Sequence, residues 1–316
     1  MQNISTYRDL LIYKLEDADL HCKIRQMSKD CIENDLRKLI TQRIAILDGG
    51  MGTTIRSYGL DEIAARGERF EDAKKDILNN GDILSLTQAD VIGDIHRKFF
   101  EAGSDIALTN TFSATSIAQS EFFVDDPREL GEGRKDQDFF QKVINNDELN
   151  DLAQEINLKS VQICRHWADR IGEESGQKKY VAGSIGPLTV SLSQSPDADD
   201  ASYRNVHFDQ VMAAYSHQVR ALIDGGCDLL VIETVFDALN AKAAAVAIQW
   251  VFEEKKVHLP VIISAAVGMG GETMISAMKV EAFINSLRHM NPFAIGLNCS
   301  LGPDLMRPFL AELSSK

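Results

Sequence analysis

Seven residues in this chain combine a reactive or ligating chemistry with a telling place: Asp48, Gly50, Met51, Asn110, Glu233, Asn298 and Cys299. Each stands at or just past the end of a short apolar run. The runs are "IAILDGG" (44–50), "SDIALTNTF" (104–112), "CDLLVIET" (227–234) and "FAIGLNCS" (293–300). Asp48 and Glu233 are carboxylates closing apolar segments, where an acid needs a partner. That partner is either a substrate ammonium or a salt-bridging residue. "DGGMGTT" sets three glycines around Met51. Its backbone is free to bend so that successive amides cradle an anion, or it is a tight turn leaving a strand. Cys299 is the ambiguous member. As a nucleophile it needs a nearby histidine base, as a zinc ligand it needs two or three companions, and a lone cysteine is commonly a small buried hydrophobe. The other histidines form no HxH or HExxH spacing, so no separate metal motif is expected.

The elements that must position these residues alternate. Two more apolar runs, "VAGSIGP" (181–187) and "PVIISAAV" (260–267), bring the count to six predicted strands. Between them lie helical patterns. One spans 87–103, with Thr87 as N-cap and Gly103 as C-cap; others cover 151–171, 208–226, 237–256 and 279–290. Strand followed by helix, repeated, predicts parallel pairing with right-handed crossovers. The last three strands begin at 227, 260 and 293, each 33 residues after the one before. That regularity favours a (β/α)8 barrel over an open doubly wound sheet, and no GxGxxG follows the first strand. A closed barrel needs eight strands. Only 16 residues follow Ser300, so about six of the eight βα units are expected here. Barrel chemistry takes place at the strands' carboxyl ends, where all seven residues fall.

Residues 1–42 are charged and broken up, and read as a helical extension outside the main fold; the barrel domain is assigned to 43–316. Residues 123–150, polar and rich in Gly and Asp, read as a mobile insertion. A second insertion, 188–207, follows the third strand on the chemical face. The formal net charge of −14 disfavours a nucleic-acid or acidic-membrane partner. Five irregularly spaced cysteines do not make a disulfide framework, and no stretch of about 18 apolar residues occurs. A cytoplasmic protein is expected.

Taken together, "ILDGGMGTTI", "GDILSLTQADVIGDIHRKFFEAGSDI", "TNTFSATSIAQ", "YVAGSIGP", "SPDADDASYRNVHFDQVMAAY", "DLLVIETVFDALNAKAA" and "IGLNCSLGPDLMRPF" resemble the homocysteine-binding domain of cobalamin-dependent methionine synthase. The resemblance runs in order from about Arg43 to Phe309, with 1–42 and 123–150 outside it. It implies a (β/α)8 barrel that binds homocysteine and a zinc ion held by three thiolates. It implies methyl transfer from methylcobalamin to the homocysteine thiol, with methyltetrahydrofolate as ultimate donor. By position it makes Cys299 a zinc ligand and puts Asp48 and Glu233 at the substrate ammonium. It sets the amides of Gly50 and Met51 at the substrate carboxylate, with Asn110 and Asn298 lining the same mouth. The partners it implies are homocysteine and the cobalamin- and folate-binding domains of a longer enzyme.

Departures from the family pattern are specific. The other two zinc cysteines of that family stand in a Gly-Gly-Cys-Cys-Gly turn after the eighth strand, and this sequence has no such turn. Leu108 stands where the family usually has an acid, Leu188-Thr189 replaces Thr-Asn, and Ser264-Ala265-Ala266 replaces Ser-Gly-Thr. Two rival readings follow. One is an inactive homologue acting as a binding module, a homo-oligomer through the open barrel edge. The other is an unrelated barrel lyase using Glu233 as base, for which no strand-end lysine is visible.

Overall fold

The computed structural model describes residues 32–316. The part of the predicted N-terminal extension in 1–31, with Cys22 and Cys31, lies outside the described residues.

Five parallel strands form one sheet: β1 (Ile106–Leu108), β2 (Tyr180–Ile185), β3 (Leu229–Val235), β4 (Val261–Ala265) and β5 (Ala294–Leu297). Their order in the sheet is their order in the chain. That is the barrel order; a doubly wound sheet would reverse direction once. The sheet is open. The first of the six predicted strands, in the run 44–50, is reduced to one parallel bridge, Leu47 to Ile106. It is held beside β1 from below as well: Asp105 accepts from both terminal nitrogens of Arg43 (2.6 and 2.5 Å) and from the Ile46 amide (2.9 Å). The remaining five predicted strands are present.

The connecting helices are α1 (residues 32–42), α2 (Met51–Ser57), α3 (Glu62–Arg66), α4 (Leu84–Thr87), α5 (Ala89–Glu101), α6 (Ser116–Phe123), α7 (Gln137–Ile144), α8 (Asp147–Ser175), α9 (Phe208–Gly225), α10 (Ala238–Lys255), α11 (Val280–Leu287) and α12 (Pro303–Ser314). The predicted helix 87–103 is α4 and α5, broken at Gln88, whose φ of −133° leaves the helical region. Thr87 does not cap it; its hydroxyl donates to the Ala65 carbonyl (2.9 Å).

Two expectations are overturned. Residues 123–150 are not simply a loop: they contain α7 and the start of α8. The overall polarity of the segment masks an amphipathic spacing in "QDFFQKVI". Phe140, Val143 and Ile144, at i, i+3 and i+4, are buried, and Asp136 caps the helix by accepting from the Phe139 amide (2.9 Å). α7 also packs against the second insertion. Arg134 pairs with Asp197 (2.7 Å) and lies over the Tyr203 ring, and Gln137 donates to the Arg204 carbonyl (2.9 Å).

The second correction concerns α1, which was expected outside the fold. Its Leu36 is 1% exposed and packs with Ile106, Tyr180, Ala182, Leu229 and Val231. Side chains alternate across a strand. These residues therefore belong to one face of the sheet, the face that would line a barrel's interior. The opposite face, including Val181, Leu230, Ile232 and Ile263, packs under α8, α9 and α10 in the main core. α1 thus covers the amino-terminal half of the inner face. Lys178 to Asp35 (3.0 Å) and Arg37 over the Phe293 ring fasten its rim.

Candidate active site at the carboxyl ends of the strands

The inner face changes character along the strands. Its amino-terminal half is apolar. Continuing the same alternation, its carboxyl-terminal half is Ser184 on β2, Glu233 on β3, Ser264 on β4 and Asn298 after β5. These positions are stitched together. At β1, Thr111 Oγ1 donates to the Ser184 carbonyl (2.7 Å), and Thr109 Oγ1 accepts the Ser184 amide (3.0 Å). The Ser184 hydroxyl donates to Glu233 Oε1 (2.5 Å), and that of Thr234 to Glu233 Oε2 (3.3 Å). Asn298 then closes the belt. Its Oδ1 accepts from the Thr234 amide (3.0 Å) and the Ser264 hydroxyl (2.7 Å), and its Nδ2 donates to Thr234 Oγ1 (2.7 Å).

Two backbone features aim the groups. The register of β3 against β4 shifts between Ile232 and Val235, so Glu233 and Thr234 form a bulge. Thr234 has a φ of 55°, rare for a β-branched residue and worth roughly 1–3 kcal/mol of strain. At the end of β2, Gly186 approaches the Phe112 carbonyl so closely that an added Cβ would lie 2.3 Å from its oxygen. No other residue fits there, and the contact presses the 109–113 loop onto the mouth.

Asp48 follows the bridge to β1, and its Oδ2 accepts from the Leu108 amide (3.0 Å). It is half-buried, and the removal of water pushes its carboxyl up to about 8; Glu233 adds repulsion. The Glu233 carboxyl is raised for the same first reason, opposed by its Ser184 and Thr234 hydrogen bonds. A third acid belongs here that sequence reasoning missed. Asp82, in the short 3-10 turn Gly81–Ile83, is buried and accepts from the Ser113 amide (2.7 Å). Burial pushes it up to about 7, with Glu233 again adding repulsion. Nothing in "NNGDIL" marks it. Ser184 was traceable: a hydroxyl at an inner-face position of an otherwise apolar run.

The other predicted residues are placed as follows. Gly50 is the N-cap of α2 and Met51 its first residue. The first-turn amides of α2 therefore have no partner within the helix. Asn110 is buried, and its Nδ2 is committed to the Gly81 carbonyl (2.8 Å) and Ser85 hydroxyl (3.1 Å), bracing the turn that carries Asp82. Cys299 is exposed at φ 59°, directly after Asn298. Cys164 and Cys227 are buried elsewhere. Among the described residues no three His, Cys, Asp or Glu side chains are grouped to hold a metal ion. A structural or catalytic zinc takes at least three protein ligands. Cys299 with these neighbours does not fit zinc.

The mouth is thus a polar belt carrying three partly or fully buried acids, with an exposed thiol at one end. It suits a small cationic ligand better than an anion. A family model for homocysteine S-methyltransferase matches residues 45–316, including the insertion 123–150. The fold is similar to that of the homocysteine methyltransferase MmuM from Escherichia coli. The apo form is 18% identical over 89% of this chain and 81% of that one, with a TM-score of 0.58. The oxidized form is 16% identical over 88% and 99%, with a TM-score of 0.52. With its barrel-ordered sheet, its acid-lined mouth and a family match over most of its length, this chain belongs to the homocysteine S-methyltransferase family.

Proposed function

We propose that the mouth binds homocysteine as a methyl acceptor, in the manner of a methionine synthase substrate domain. The observation that carries this is the placement of two acids at the strands' carboxyl ends, Asp48 on the Leu108 amide and Glu233 on the Ser184 hydroxyl at the β3 bulge. Both are raised by burial, and Glu233 repels Asp48. Such a pair gains most from a cation placed between its members. The ammonium of an amino acid supplies that charge, and the first-turn amides of α2 suit its carboxylate. The thiol then lies toward Cys299. In the transfer, the substrate sulfur forms a bond to the methyl carbon as the donor–methyl bond breaks, and the thiol proton is released. Methylcobalamin, recharged by methyltetrahydrofolate on other domains, is the donor that the motif resemblance supports. Among the described residues no set of side chains fits zinc.

Calorimetric titration with L-homocysteine near pH 8 tests the binding claim. Saturable binding at one site is expected, and a folded protein that takes up none removes the reading.

One observation favours a second reading, a binding module without transfer: among the described residues Cys299 is the one exposed cysteine, and no metal-holding group of side chains stands with it. The sheet edges at β5 and at 44–48 would then pair with another copy. Methionine formation from homocysteine and methylcobalamin, measured with the zinc content and solution size of the reduced protein, separates the two. Turnover with zinc favours the transferase; a stable dimer that binds but does not turn over favours the module.

A further inference from the structure

Asn298 stands among the candidate substrate contacts, yet its side chain faces inward to the protein. Its Oδ1 holds two donors, the Thr234 amide and the Ser264 hydroxyl, and its Nδ2 holds the Thr234 hydroxyl. Its own amide donates to the Ala265 carbonyl (2.9 Å). With the Asn298 Nδ2–H directed at Thr234 Oγ1, the single Thr234 hydroxyl proton is left for Glu233 Oε2. The order of donation is therefore Asn298 to Thr234 to Glu233. Thr234 is also the residue in the left-handed region, at the bulge that turns Glu233 into the mouth. A strained conformation persists only where its surroundings over-determine it. Here two of the contacts that do so come from one amide.

We propose that Asn298 is a positioning residue: it clamps Thr234 in the bulge and thereby aims Glu233 at the substrate ammonium. This deepens the homocysteine reading and rests on it. It also gives the site a register. Asn298 is the neighbour of Cys299, so the same short segment sets the thiol end of the mouth and, through Thr234, the carboxylate end.

The test compares two ligands, L-homocysteine and 4-mercaptobutanoate, which keeps the thiol and carboxylate but lacks the amine. Dissociation constants are measured calorimetrically for the wild type, Asn298→Ala, and Asn298→Ala combined with Thr234→Gly. The wild type is expected to prefer homocysteine by about tenfold or more, the scale of one charge-assisted contact. Asn298→Ala is expected to lose most of that preference while holding 4-mercaptobutanoate as before. Glycine at 234 adopts the left-handed conformation without a clamp, so the double variant should regain part of the preference. Circular dichroism confirms that each variant is folded. Equal weakening of both ligands in Asn298→Ala would mean a general structural role and overturn the proposal. An unchanged preference overturns it as well. A wild type that binds both ligands equally points instead to failure of the ammonium reading, with the clamp falling alongside it.

Discussion

The two halves of the sheet's inner face come from the same strands and meet opposite fates. The amino-terminal half is aliphatic and aromatic, and α1 covers it with Leu36. The carboxyl-terminal half is a belt of hydroxyls, an amide and acids whose burial is resisted by their own charge. One half lowers the free energy of the fold by removing apolar surface from water. The other holds groups that would be better solvated in the unfolded chain. The difference teaches where substitution should cost stability and where it should cost binding.

The largest effect is expected below. Leu36→Ala removes a fully buried side chain and should cost about 2–5 kcal/mol. The remaining folded protein should bind homocysteine unchanged; denaturant melts paired with calorimetry would show it. An unchanged midpoint would mean that α1 is not part of the core. Above, Glu233→Gln should weaken homocysteine binding about tenfold or more, the scale of a charge-assisted hydrogen bond. Its melting temperature should hold or rise, because a poorly compensated buried acid is gone. A large drop in melting temperature would show the carboxylate to be structural.

The third expectation is a pH dependence. The Asp48 carboxyl rises from an ordinary 3.8 to about 8 in the fold. The folded state therefore holds that proton more tightly than the unfolded chain. Stability from this group is full at low pH and is lost as pH rises from about 4 to about 8. Asp48→Asn should flatten the fall in melting temperature between about pH 5 and pH 8. Homocysteine affinity in the wild type should strengthen over the same window, as the acid ionises. A wild type with equal melting temperatures at both ends would contradict the assignment. The smallest effect is at the rim of the lower half. Lys178→Ala breaks an exposed pair with Asp35 and should change stability by less than about 1 kcal/mol.

Much of this was legible because periodicity survives in the strands. The 33-residue spacing of the later units and the runs ending at Glu233 and Asn298 located five strands and their functional ends. The belt was harder to see. Ser184, Thr234 and Ser264 matter through inner-face parity and a bulge, neither of which composition reports. Asp82 comes from a turn with no periodic signal, brought in by the 109–113 loop. α1 was misplaced for a related reason. A few apolar residues among many charges read as surface, but a single narrow stripe is enough to cover a half-lined face. In α7 the same confusion of composition with pattern hid a helix.

The strand order has a consequence for how the chain is made. Each strand pairs only with its neighbours in sequence, so every βα unit can dock onto a finished edge as it leaves the ribosome. α1 is the exception. Emerging before any strand, it has no surface to rest on until β1, β2 and β3 exist, and Arg37 meets Phe293 only after the residues that follow β4 have been synthesised. The first described helix is thus locked only after three strands that follow it in the chain have paired, and until then the apolar half of the inner face is uncovered.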